Sequence, residues 1–177
     1  MDRLSPADLR RLGAIAAQAQ SCMDEYNRGV EHYRRGEWQT ARDAFVRAAS
    51  MGVRYVSARA ALSLGTLLEE QWRDLDGARR AYEQAASTGH DTEVGPSAEM
   101  LLGNVHVLRR DVDAAFRAFR RAYQSGFPAV VPHAIFAIGM LYEATGDLRG
   151  ARLAYEAALE TNDPSVRPQA AARLSAL

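Results

Sequence analysis

Lysine is absent from this 177-residue chain, and all 22 of its basic residues are arginine. Lysine-based chemistry is therefore excluded, whether a Schiff base or a phosphate-binding Gly-x-x-x-x-Gly-Lys loop. Cysteine is nearly absent. Cys22 stands alone, so an intrachain disulfide and a cysteine-based metal site are both excluded, and a reducing, cytoplasmic setting is the expectation. Net charge is missing too: 22 acidic residues balance the 22 arginines, giving +0. No global field draws the chain to nucleic acid or anionic lipid. Long apolar runs are lacking as well. The longest, Ala134 to Leu141, falls far below the roughly 20 residues of a membrane span, so no membrane role is expected. The stretch Leu12 to Ala17 behind Arg10-Arg11 is too short for a secretory leader, and Gln18 and Gln20 break its apolar character on the C-terminal side. No Gly-x-Gly-x-x-Gly, Gly-x-Ser-x-Gly or His-x-x-x-His spacing occurs. No catalytic residue, cofactor or metal is assigned, and an enzyme is not expected. Arginine used to the exclusion of lysine fits a GC-rich, bacterial genome.

What is present is a pattern that recurs four times. A glycine is followed by an alanine, then four residues later by an aromatic, then three later by another alanine. The copies are Gly29–Ala41–Phe45–Ala48, Gly65–Ala78–Tyr82–Ala85, Gly103–Ala115–Phe119–Ala122 and Gly139–Ala151–Tyr155–Ala158. Successive glycines lie 36, 38 and 36 residues apart, the mark of stacked repeats rather than of one globular core. Each copy reads as a helical hairpin. The spacing predicts helices over 22–35 and 38–50, 54–71 and 75–87, 96–109 and 112–125, and 132–145 and 148–160. The turns inside the hairpins carry Gly36-Glu37, Arg73-Asp74, Arg110-Asp111 and Gly146-Asp147, residues suited to ending one helix and starting the next. One extra residue in the second turn accounts for the longer second copy. The link around 88–95 is the longest and the expected site of mobility.

A helix starting at Ser5-Pro6 precedes the repeats, and one bearing Ala170, Leu174 and Leu177 comes after them, as capping elements of an array. The expected organisation is an N-terminal flanking helix over 1–21, four repeats over 22–164 (22–52, 53–91, 92–128 and 129–164), and a capping helix over 165–177. The repeated glycines are expected to admit close helix approach, with the following alanine meeting the bare backbone and the aromatic filling the volume between hairpins. A glycine inside a helix costs roughly 1 kcal/mol against alanine, so four in register need such a reason.

These residues resemble the tetratricopeptide repeat. Its Leu-Gly-x-x-Tyr and Ala-x-x-x-aromatic elements stand as Ile138-Gly139…Tyr142 and Ala151…Tyr155. Leu64-Gly65…Leu68 and Leu102-Gly103…His106 keep most of the first element, and Arg28-Gly29…His32 departs further. The endings Ala48-Ala49-x-x-Gly52 and Ala85-Ala86-x-x-Gly89 also look like Sel1-type repeats. The resemblance covers roughly 22–164. It implies an all-α fold, an α-solenoid wound as a right-handed superhelix of four such hairpins, whose concave groove binds proteins or peptides.

In the family the first helix of each hairpin lines the groove. By repeat register this implies Tyr26, Val30, Tyr33 and Arg34, then Arg59, Leu62, Thr66, Glu69 and Glu70. Ser97, Met100, Asn104 and Val107 come next, then His133, Phe136, Met140 and Glu143. Some relatives hold a peptide's carboxylates with a clamp of Lys, Asn and Arg; here only Asn104 fits, so that clamp is absent. Aromatic and Met side chains suit contact surfaces, and the expected ligand is an apolar helix or extended segment, with a basic residue facing the glutamates. Two alternatives remain open at this point: packing of these side chains between helices, and occupation of the groove by the chain's own N-terminal helix.

Arg109, Arg110, Arg117, Arg120 and Arg121, with Arg79, Arg80, Arg149 and Arg152 on the second helices of neighbouring hairpins, could form a basic ribbon, but the expectation is a solvated outer face paired with Asp111, Asp113, Glu83 and Glu156, so nucleic acid is not the expected partner. His32 and His106 occupy equivalent positions 74 residues apart and read as separate interhelical residues rather than a metal pair. The leading expectation is a non-enzymatic scaffold binding a protein or peptide partner with an apolar segment. The alternative is a regulatory sensor, in which a small peptide or metabolite in the groove changes superhelix curvature. Homo-oligomerisation through the flanking helices is a further expectation.

Overall fold

A computed structural model describes residues 4–177. Among the described residues the chain forms nine α-helices and no strand. They are α1 (Pro6–Arg34), α2 (Trp38–Ser50), α3 (Arg54–Trp72), α4 (Leu75–Thr88), α5 (Val94–Leu108), α6 (Val112–Gln124), α7 (Val131–Ala144), α8 (Leu148–Glu160) and α9 (Arg167–Ala176). The chain divides into two compact units, the first ending at Gly89 and the second beginning at His90. In the first, hairpins α1–α2 and α3–α4 join through α2 against α3; in the second, α5–α6 and α7–α8 join through α6 against α7, and α9 packs on α8.

The principal departure from the expected organisation is at the N-terminus. The flanking helix and the first repeat helix are one continuous 29-residue helix. It begins in a capping box: Ser5 Oγ accepts from the Asp8 amide at 3.2 Å, and the Asp8 carboxylate accepts from the Ser5 amide at 3.1 Å. No proline or paired glycine occurs between that start and Gly36, so nothing ends the helix near residue 21. Because the N-terminal segment and the α1 wall of the expected groove belong to one helix, that segment does not fold back into its own groove. Similarly, α5 starts at Val94, two residues earlier than expected, with Thr92 Oγ1 accepting from the Val94 amide at 3.3 Å. Gly95 and Pro96 fall in its first turn, where a missing N–H has no intrahelical partner to lose.

The repeated glycine meets the aromatic, not the alanine. A Cβ on Gly29 would lie 2.6 Å from the Phe45 ring, and one on Gly139 would lie 2.6 Å from the Tyr155 ring. Gly65 stands in the same relation to Tyr82, and Gly103 to Phe119. Each aromatic is at most 2% exposed. The bare backbone of the first helix thus receives the ring of the second, and the flanking alanines, all fully buried, let the helices close around it.

The turns inside the hairpins place one left-handed residue before each second helix: Gly36 (φ 75°), Arg73 (φ 54°), Arg110 (φ 61°) and Gly146 (φ 82°). Asp74, Asp111 and Asp147 serve as N-caps, accepting from Gly77, Ala114 and Gly150 amides at 2.8, 3.0 and 2.9 Å. The extra residue of the second copy is absorbed in the last turn of α3. There the Asp74 amide reaches back six residues to Leu68 O, whereas Glu37, Asp111 and Asp147 reach back five.

Opposing contributions decide the stability of two variants. Gly65→Ala gains about 1 kcal/mol of helix propensity but drives a methyl into the Tyr82 ring, costing about 1–3 kcal/mol; urea unfolding is expected to show net destabilisation, and an increase in stability would contradict the packing role. Arg110→Gly relieves a left-handed arginine and is expected to raise stability by about 1 kcal/mol in the same assay.

Candidate functional site

The first unit brings together seven of the expected groove residues, in two pockets. Val30 and Tyr33 from α1 and Leu62 and Thr66 from α3, with Phe45 and Ser63, line a pocket of about 250 Å³. Phe45 is the ring seated on Gly29, so the glycine–aromatic contact also supplies part of the pocket wall. Tyr26 and Val30, with Met23, Asn27, Glu31, Arg34 and Arg59, line a second and more polar pocket of about 380 Å³. Val30 lines both, so an apolar pocket and a more cationic one adjoin along the trough between α1 and α3. The Arg59 guanidinium lies 5.0 Å from the Tyr26 ring centre and 5.7 Å from that of Tyr55, a cation–π arrangement. Sequence register alone does not find Phe45 and Ser63; the glycine–aromatic pairing is the signal that places Phe45 there.

The glutamates expected to face a basic ligand are held by tyrosines. Tyr33 Oη donates to Glu70 at 2.6 Å, Tyr82 Oη to Glu69 at 3.0 Å and Tyr155 Oη to Glu143 at 2.6 Å, and Arg173 adds a bond to Glu143 at 3.2 Å. The Tyr33 hydroxyl is pushed above the usual tyrosine range by its bond to Glu70 and by desolvation. Tyr82 and Tyr155 are pushed far above it, first by burial; the neighbouring Glu69 and Glu143 carboxylates add to this, while Thr66 and Arg173 oppose it.

In the second unit the expected residues do not assemble in the same way. Phe136 is 8% exposed, with its ring centre 5.5 Å from that of Tyr155. Met100 packs half-buried against the core around Ala134 and Phe119. Asn104, Val107 and Met140 are exposed. A pocket of about 190 Å³ in this unit is lined instead by Tyr123, Ile135, Ile138 and Ala157.

The two units share more than the repeat. Gly29, His32, Phe45, Gly65 and Glu69 recur 74 residues later as Gly103, His106, Phe119, Gly139 and Glu143. The ion pair Arg47–Glu25 (2.9 Å) recurs as Arg121–Glu99 (2.7 Å). The two histidines each face the acidic N-cap of the next helix, His32 that of Glu37 and His106 that of Asp111 at 4.0 Å. Against this background the differences stand out: Leu62 and Thr66 correspond to Phe136 and Met140, and Val30 and Tyr33 to Asn104 and Val107. The trough of the first unit is open where the second carries larger side chains on its equivalent of α3.

A family model described as a tetratricopeptide repeat-like domain matches residues 16–177. Among solved structures, BtubC (BKLC) from P. vanneervenii is similar at 21% identity and a TM-score of 0.68, over 80% of this chain and 63% of that one. The chain therefore spans 63% of the length of that protein. Two structures of MamA are similar at 17% identity, with TM-scores of 0.63 and 0.62. The first covers 86% of this chain and 87% of that one, the second 83% and 90%. These likenesses concern the fold. No curated protein matches. Among the described residues no helix is long and apolar enough to cross a membrane.

The buried tyrosines make stability sensitive to alkali. Their folded-state pKa lies above the unfolded value, so their contribution is fully present below about pH 10 and is lost as pH rises beyond it. Urea midpoints at pH 8 and pH 11 are expected to fall with pH, and to fall less in Tyr82→Phe and Tyr155→Phe; an unchanged slope in both variants would contradict this.

Proposed function

We propose that this chain, which belongs to the tetratricopeptide repeat-like family, is a non-catalytic binding module whose first unit takes an apolar segment of a protein or peptide partner. Domains of this kind generally mediate protein–protein interaction. The observation that carries the reading is the α1–α3 trough, open beside Leu62 and Thr66 where the second unit carries Phe136 and Met140. An apolar volume of about 250 Å³ lies below the roughly 300–1,000 Å³ usual for small-molecule sites. It suits one or two inserted side chains, whereas the adjoining polar pocket of about 380 Å³ lies within that range; the preference for a peptide or protein over the sensor alternative rests on the general role of the family.

The cationic pocket refines the partner. Arg34 and Arg59 both line it, while Glu31 is engaged by Arg35. The glutamates that could have drawn a basic group already accept bonds from tyrosine hydroxyls. A segment pairing apolar side chains with an acidic group fits better than one with a basic group.

A displayed peptide library panned against the chain tests this. Selected peptides are expected to be apolar with an acidic neighbour, and to lose about tenfold or more in affinity for the double variant Leu62→Phe, Thr66→Met. The second unit already carries those larger residues at the matching positions, so the fold is expected to persist. Equal binding to both proteins would contradict the assignment.

A further inference from the structure

The N-terminal half of α1 is a second surface without a partner. Residues 4–18 are all exposed, with Leu9 at 57%, Leu12 at 51% and Ile15 at 54%. The first side-chain hydrogen bond from α1 to another element is Gln18 Nε2 donating to Met51 O at 2.8 Å, and the first buried residue of α1 is Cys22. A helix that exposes large apolar side chains on one face is ordinarily covered by another element.

The exposed stripe and the trough form one seam. From Leu9 to Tyr33 apolar or small residues recur at alternating steps of three and four, the spacing of a heptad seam. The first half of that seam lies on the exposed segment; the second half, from Met23 to Tyr33, forms the α1 wall of the trough. Over 24 residue steps the seam is about 36 Å long.

The seam is also self-complementary when run against itself. In one antiparallel register Leu9 lies opposite Tyr33, Leu12 opposite Val30, Ala16 opposite Tyr26 and Ala19 opposite Met23. The two small residues meet two of the larger ones, as interdigitating layers require. The leucines of the exposed segment come level with the apolar pocket of about 250 Å³. Because both surfaces lie on one continuous helix, the segment cannot reach its own trough, but it can reach that of a second copy. The arrangement is isologous: each copy gives its exposed segment and receives the other's, and the contact closes at two.

We infer that two copies of this chain pair antiparallel along α1, each inserting the Leu9–Leu12 segment into the other's α1–α3 trough. This rests on the trough being the binding surface of the first unit and names its occupant: Asp8 supplies the acidic neighbour, opposite Arg34 in this register, while Arg10 and Arg11 fall opposite His32 and Glu31. The pairing predicts that access of any other partner requires displacement of the exchanged segment.

Light scattering on the full chain, coupled to size exclusion at about 100 µM, tests it. The expected mass is twice the 19.4 kDa of one chain. Leu12→Glu alters only the exposed segment, and Leu62→Phe with Thr66→Met alters only the trough. Each is expected to weaken pairing about 100-fold or more, with far-UV circular dichroism confirming the fold. Mixing the two variants restores one of the two exchanged contacts, so a heterodimer of intermediate affinity is expected. A monomeric wild type, a dimer that both variants leave intact, or variants that fail to pair on mixing would each overturn the exchange. If the wild type is monomeric while library peptides still lose affinity for the trough variant, the exchange falls and the trough remains a binding surface. If the dimer behaves as expected but no peptide is selected, the exchange stands and binding of another partner there falls.

Discussion

The contact between a bare glycine backbone and an aromatic ring of the facing helix governs this structure. At Gly29, Gly65, Gly103 and Gly139 there is no room for a Cβ, because Phe45, Tyr82, Phe119 and Tyr155 lie against the helix. The ring sets how closely each hairpin closes, and the fully buried alanines around it set how closely the next helix approaches. The aromatic also reaches the proposed binding surface. Phe45 forms part of the trough wall, and the hydroxyls of Tyr82 and Tyr155 occupy glutamates one turn beyond the glycine. Packing and the wall of the trough are therefore two sides of one contact.

Repetition of that contact makes divergence informative. Where the two units agree across 74 residues, in the glycines, in the Glu25–Arg47 and Glu99–Arg121 pairs and in the histidines beside the acidic N-caps, the residues serve the hairpins. Where they differ, at Leu62 against Phe136 and Thr66 against Met140, one unit keeps a trough and the other carries larger side chains. The same core thus supports two different faces. The difference lies in side-chain volume at matching positions of α3 and α7.

Most of the fold was legible in the sequence because its determinants are local. The period of the glycines, the Gly or Arg before each second helix and the Asp or Glu after it place seven of the nine helices to within two residues. What failed was the break expected near residue 21, since a helix ends only where some residue ends it, and none does before Gly36. The site was legible in half. Register identifies Tyr26, Val30, Tyr33, Leu62 and Thr66, because they lie on the first helices of adjacent hairpins. It cannot weigh volume, so Phe136 reads as a surface residue until its packing on Tyr155 is seen. Nor can it assign the glutamates, whose tyrosine partners come from other helices.

The proposed function turns on the trough of the first unit, and not the matching face of the second, being an open apolar receptor. Methyl-resolved NMR of the Leu12→Glu chain, whose exposed segment is expected not to enter a second copy's trough, under titration with small apolar fragments probes that difference without any knowledge of the partner. Shifts are expected to concentrate on the methyls of Val30, Leu62 and Thr66 and to leave those of Val107 and Met140 unmoved. Shifts of equal size in both units, or none at the trough, would show that the first unit holds no such receptor.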